Sequence, residues 1–187
     1  MAITSRTALV ILDMVNLFDF EGGGRLGAAA LRIAPHLRKL RDRFDRAQAP
    51  TIYANDNFAH WQGHLGDLVG ACHDAGGRPA ALVEALAPRP HDYHVLKPKH
   101  SAFLATPLPI LLAKLDVRRL VLTGVAADSC VLATAVDANM RELDVWTPRD
   151  CVAAMTPKRA SSALDLAARS IGASVRESGS VKGVFPR

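Results

Sequence analysis

Five consecutive aliphatic residues, Ala8 to Leu12, open the regular patterning of the chain and end on the acid Asp13. A run without polar alternation is the pattern of a strand buried on both faces. After it, Leu26, Ala30, Ile33, Leu37, Leu40, Phe44 and Ala47 recur at alternating spacings of four and three, which predicts one buried helix face. Pro35 falls inside that stripe and predicts a break, with the proline in the first turn of a second segment. Thr51–Ala54 reads as a second strand. Residues 56–78 hold Gly63, Gly66, Gly70, Gly76 and Gly77 without a clean period. They read as a long loop with room for a short helix, and loops of that length are usually functional. A helix opened by Pro79 runs to Leu86, and Tyr93–Leu96 is a third strand. Leu108, Leu111, Leu112 and Leu115 mark a helix, Arg119–Leu122 a fourth strand, and Ser129–Arg141 a further helix. Asp144–Trp146 is a fifth strand, residues 157–170 a helix, and Ala173–Arg176 a last edge strand.

This alternation of strand and helix calls for an α/β fold with a parallel sheet, helices on both faces and right-handed crossovers. No repeat, low-complexity tract or linker divides the 187 residues, so one domain is expected. A chain of this length buries roughly 70% of its unfolded surface and needs no disulfide or metal to stay folded. At 49% hydrophobic and 22% charged it is ordinary for a globular protein, and aromatics at 5% favour an aliphatic sheet over a β-sandwich.

The net charge of +5 is mild and dispersed. The densest basic stretch, Arg38 to Arg46, alternates with Asp42, Asp45, Leu40 and Phe44. That is a solvated helix face rather than a phosphate-tracking stripe, so nucleic acid is not the expected partner. Cys72, Cys130 and Cys151 are too few for a disulfide framework. The N-terminal residues have neither a signal-peptide core nor a cleavage site, and nothing approaches a membrane span. A soluble, cytoplasmic protein without a membrane partner is the expectation.

In parallel α/β sheets, ligands bind beyond the carboxyl ends of the strands. Asp13 follows the first strand, Asn55, Asp56 and Asn57 the second, and Lys97 ends the third. After the fourth comes GVAADSC, with Cys130 in the first turn of the next helix and Asp128 or Ser129 as its N-cap. Unpaired amides and the positive end of the helix dipole would stabilise a thiolate there, and the same amides could hold an oxyanion. Read alone, Cys130 could equally be a small hydrophobe at a sheet–helix junction. Asp13 could be a general base or a capping acid, and Lys97 could be its partner or a solvent lysine. Phe58 and Trp61, beside Asn57, read as a lid over the substrate or as an anchor for the loop. Cys151 reads as a packing residue and Cys72 as a loop thiol without a role.

Three segments resemble the isochorismatase-like cysteine hydrolase superfamily. They are ALVILDMVNLFDF, LKPKHSAFLATPL with its Lys four residues before Ser-Ala-Phe, and LTGVAADSCVLATAVDA. Their order and spacing match across roughly residues 7–176. The resemblance implies a three-layer sandwich around a six-stranded, mostly parallel sheet. It implies a catalytic Asp13, Lys97 and Cys130, and a non-proline cis peptide at Val125–Ala126 that aims oxyanion amides toward Cys130. Lys99 sits where some members carry a second basic residue facing a substrate carboxylate. Phe18, Asn55, Asn57, Phe58 and Trp61 complete the expected substrate-facing set. A dimer or tetramer is implied by analogy.

Two positions depart from the family pattern. The metal-dependent nicotinamidase branch carries Asp-x-His where this chain has Asn55-Asp56-Asn57, and His60, His64 and the Cys72-His73 pair do not restore it. No metal or organic cofactor is therefore expected. Val15 stands where many members have Gln. The function expected from this reading is hydrolysis of a small-molecule C–N bond (amide, carbamoyl or ureido) through a thioester. The alternatives are vinyl-ether hydrolysis by the Asp and a non-catalytic binding protein.

Overall fold

A computed structural model describes residues 5–57 and 62–186. The aliphatic run predicted at the start forms β1 (Thr7–Leu12), buried at all six positions. It is followed by α1 (Gly23–Arg46), β2 (Thr51–Asp56), α2 (Leu65–Ala75), α3 (Gly77–Leu86) and β3 (Tyr93–Lys97). The second half comprises α4 (Leu108–Lys114), β4 (Arg119–Val125), a π-helical turn at Ala127–Val131, α5 (Leu132–Asn139), β5 (Asp144–Trp146), β6 (Val152–Ala153) and α6 (Pro157–Ile171).

The sheet has six strands in the order β3-β2-β1-β4-β5, with β6 beside the end of β4, and all pairings are parallel. β1 lies at the centre, with Leu9 opposite Thr51 on one side and Thr7 opposite Arg119 on the other. The chain winds outward from β1 through β2 to β3, then returns to β4. The crevice between the carboxyl ends of β1 and β4 is thus the topological switch point, where such sheets open to ligand.

Alternation along β1 builds two cores. Leu9 and Ile11 pack with α1, α2 and α3 on one face, through Leu37, Phe44, Leu68, Cys72 and Leu82. Ala8, Val10 and Leu12 pack with α4, α5 and α6 on the other, through Leu108, Ala135 and Leu164. The expected three-layer α/β sandwich is therefore the observed one.

Four local expectations need correction. Pro35 does not break α1, which runs 24 residues without interruption. Pro35 and Leu31 both lie on the exposed side, so the hydrogen bond the proline forgoes is lost where water can replace it. The glycine-rich stretch expected as loop is largely helix. In α2, Leu65, Leu68 and Cys72 form a buried face despite Gly66 and Gly70, and the Asp67 carboxylate accepts the His64 N–H at 2.6 Å at its start. Cys72 is accordingly a core residue with no exposure rather than a loop thiol. The helix carrying Cys130 starts as the π-helical turn, with Ala126 as N-cap and no side-chain cap. Asp128 and Ser129, expected as caps, bond instead to Arg159 and His100 at the cavity wall. The last edge strand is reduced to one bridge between Trp146 and Ser174, while β6 was not foreseen.

Gly124 shows how closely the two central strands approach below the crevice. Its φ is +101°, and a Cβ there would lie 2.1 Å from the Leu12 carbonyl oxygen. Gly24, in α1, has no atom within 4 Å of the corresponding position. Gly124→Ala is expected to cost about 3 kcal/mol or more through strain and overpacking. Gly24→Ala is expected to be neutral or stabilising by up to about 1 kcal/mol. Urea unfolding midpoints at unchanged slope measure both, and a Gly124→Ala protein as stable as its parent would contradict the close-approach argument.

Candidate active site

Asp13 leaves β1 with a left-handed φ of 51°, which turns its side chain back over the strand ends. The carboxylate is nearly buried, with 6% exposure. Its Oδ1 accepts the Asp56 N–H at 2.8 Å, and its Oδ2 lies 2.9 Å from Lys97 Nζ. Lys97 starts two strands away. At about 4.8 Å per strand, its backbone is roughly 10 Å from that of β1, and the extended lysine stem spans the gap over β2.

Lys97 is 2% exposed, yet all three of its donors are used. They go to Asp13 Oδ2 at 2.9 Å, the Lys99 carbonyl at 3.3 Å and Cys130 Sγ at 3.5 Å. An acid, an ammonium and a sulfur from three distant segments thus meet at one point. The peptide bond between Val125 and Ala126 is cis, as the resemblance implied, and both residues line the cavity in front of the sulfur.

Charge in this group is set by burial against pairing. Burial raises the Asp13 carboxyl above its ordinary range, opposed by the Lys97 charge. Burial alone would lower Lys97, but Asp13, Cys130 and Asp56 outweigh it and hold the ammonium protonated. Burial, followed by the Asp13 charge, pushes the Cys130 thiol up to about 11, with Lys97 pulling the other way. The resting sulfur is a thiol, and its ionisation needs a proton acceptor in place. A carboxyl held above its ordinary range is suited both to accept that proton and to return it.

The motif around Ser101 has a mechanical reading. The Ser101 hydroxyl donates to the Asp137 carboxylate, and the Ala102 N–H donates to Thr134 Oγ1 at 3.1 Å. Phe103 packs beneath Arg141, its ring centroid 4.7 Å from the guanidinium. The segment after Lys97 is therefore clamped to α5, the helix that continues from Cys130. The lysine and the sulfur are held in register by the same few bonds.

A cavity of about 390 Å³ opens over the sulfur. Lys99 lines it as expected, as does Asp56 from the end of the second strand, and so do Asn16, Phe20, His100, Met155 and Arg159, which the linear pattern did not mark. Phe18, expected to face substrate, does not line it. It is 8% exposed and packs on Gly27, 6.4 Å from the Phe20 ring, which takes the cavity position. Asn55 also lies outside the cavity wall. It is 1% exposed and its amide donates to the Val15 carbonyl at 2.6 Å, so it braces the loop after β1. Asn57 contributes backbone, its N–H reaching the Lys97 carbonyl at 3.1 Å. Phe58, Trp61 and His60 fall outside the described residues. His64 precedes α2 and His73 lies near its far end, about 13 Å along the axis at 1.5 Å per residue. They do not converge on a shared site.

The sequence model of the Isochorismatase domain matches residues 7–178. The chain belongs to the isochorismatase family. Among its relatives, the uncharacterized isochorismatase family protein YaaI of Bacillus subtilis is 40% identical over 146 residues, 78% of this chain and 80% of that one. The ureidoacrylate amidohydrolase RutB of Stutzerimonas stutzeri is 30% identical over 159 residues, covering 71% of this chain and 64% of RutB. The crystal structure of N-carbamoylsarcosine amidase from Thermoplasma acidophilum superposes with a TM-score of 0.70 at 28% identity, over 96% of this chain and all of that one.

Removing the lysine alone isolates a buried carboxylate. Lys97→Met is expected to destabilise the fold by about 3–5 kcal/mol at pH 8, the usual cost of breaking a buried pair. A carboxyl whose folded-state pKa is raised favours the fold below its unfolded pKa and loses that contribution as pH rises through the folded value. The deficit should therefore shrink toward pH 4.5, and Asp13→Asn in the same chain should recover part of it. Urea midpoints at the two pH values measure this; a deficit independent of pH would contradict the pairing.

Proposed function

We propose that this protein is a cysteine hydrolase that cleaves a C–N bond of a small molecule through a thioester on Cys130. The observation that carries the reading is the position of Lys97 Nζ, in contact with both Asp13 Oδ2 and Cys130 Sγ. An amidohydrolase and an amidase among the relatives support C–N chemistry.

In this reading Asp13 accepts the thiol proton as the sulfur attacks the substrate carbonyl, and Lys97 balances the charge so produced. Amides of the turn from Val125 to Cys130 hold the oxyanion. The tetrahedral adduct collapses with cleavage of its C–N bond: the amine leaves with the proton from Asp13, and the acyl group stays on sulfur as a thioester. Water then adds to the thioester, giving its proton to Asp13. Collapse releases the acid, and the proton returns to the sulfur. The cavity volume suits a substrate of modest size. Lys99 and Phe20, on its wall, are the proposed substrate contacts.

Cys130→Ala and Asp13→Asn, assayed against small amides, carbamoyl compounds and ureides, should each lose about a thousandfold or more in kcat/KM. An acyl adduct on the Cys130 peptide should be trapped by acid quenching and seen by mass spectrometry. Undiminished turnover by Cys130→Ala would remove the mechanism. If instead a vinyl-ether substrate is turned over by Cys130→Ala but not by Asp13→Asn, vinyl-ether hydrolysis by the acid alone takes its place.

A further inference from the structure

Two arms reach Cys130 Sγ. One is the buried pair Asp13–Lys97. The other comes from the solvent side and has no part in the mechanism above. His100 Nδ1 lies 3.8 Å from Sγ and is hydrogen-bonded to Ser129 Oγ at 3.0 Å, and Ser129 Oγ is itself 4.0 Å from Sγ. His100 is exposed, lines the cavity and stands three residues after Lys97, on the segment clamped to α5.

We propose that His100 is a positioning residue for the nucleophile: in its protonated form it stabilises the Cys130 thiolate from the mouth of the site, so that the reactivity of the sulfur follows the charge on this histidine. The proposal rests on the reading of Cys130 as the nucleophile. Its physical basis is the placement of charge. The groups facing the sulfur and His100 are Lys97 and Lys99 on the same segment, Asp13 from β1, Asp56 from β2, Asp128 from the π-helical turn and Arg159 from α6. These are three acids and three bases. Asp13 is paired with Lys97 and Asp128 with Arg159, so their charges are largely spent on each other. Among the described residues a proton on His100 has no such partner, and a cation this close to sulfur favours the charged form. Histidine is also the side chain that changes charge between about pH 5 and 8. The Ser129 hydroxyl fixes the ring, and with it the distance from Nδ1 to sulfur. Without that anchor an exposed imidazole would spend its time in solvent.

The readout is the rate of Cys130 alkylation by iodoacetamide from pH 5 to 9, followed on the Cys130 peptide by mass spectrometry. Cys72 and Cys151 are fully buried and serve as internal controls. While His100 is charged, the parent should react about tenfold faster than His100→Gln, the effect of one pKa unit from a nearby cation. That ratio should fall toward one as pH rises past the range in which histidine side chains carry charge. His100→Lys should keep the advantage across the whole range. Ser129→Ala should reduce it. Coincident profiles for the parent and His100→Gln would overturn the proposal. So would a constant ratio at every pH in a folded variant, because that is the mark of a structural role. The hydrolase reading is tested separately by turnover of Cys130→Ala, and its failure would leave the alkylation comparison still decisive for His100.

Discussion

A carboxylate and an ammonium face each other at 2.9 Å, both almost removed from water, at the carboxyl edge of the central strand. Isolating either charge there would cost several kcal/mol, so the pair depends on the further hydrogen bonds each partner makes. Asp13 takes a backbone N–H, and Lys97 spends its other two donors on a carbonyl and on sulfur. The pair ties the end of β3 to the end of β1 across β2. It also brings to Cys130 a positive charge that cannot swing away. Much of the surrounding architecture serves to keep those three atoms in place.

Two features do this from opposite sides. Beneath the crevice, Gly124 lets β4 approach the Leu12 carbonyl more closely than any side chain would allow, and the cis peptide turn begins one residue later. Beside it, Ser101, Ala102 and Phe103 fasten the lysine segment to Asp137, Thr134 and Arg141. A segment of little regular structure is thereby fastened to the helix it rests on. The serine, alanine and phenylalanine after Lys97, answered by Thr134 and Asp137 after Cys130, have their physical meaning in this clamp.

Burial then sets the chemistry. The thiol is pushed up to about 11, so the sulfur is not a free thiolate awaiting any electrophile. Its proton has to leave with an acceptor alongside, and Asp13 is the buried group whose pKa moves in the direction that makes it one. The solvent side of the same sulfur is open to an imidazole. The two sides therefore differ in their surroundings, one shielded from bulk water and one in contact with it.

Much of this was legible in the linear pattern. Unbroken aliphatic runs mark doubly buried strands. Strands alternating with helices leave a parallel sheet as the economical solution, and such a sheet puts its loops on one edge. Asp13, Lys97 and Cys130 could be picked out as candidates because each lies at or shortly after the end of a strand, and the family resemblance supplied their expected roles. Local rules failed where packing outvoted propensity: at Pro35, on the wet side of α1, and at Gly66 and Gly70, carried by the buried face of α2. Side-chain direction was beyond them altogether. Phe18 and Phe20 are equivalent by composition, yet one is core and the other cavity wall, because a left-handed turn at Phe18 separates them. Arg159 and Met155 join the site from α6 and from the residue that precedes its cap. Periodicity reports which face of an element is buried. It carries no record of which distant element will lie against that face, because that choice is made by the packing of the whole chain.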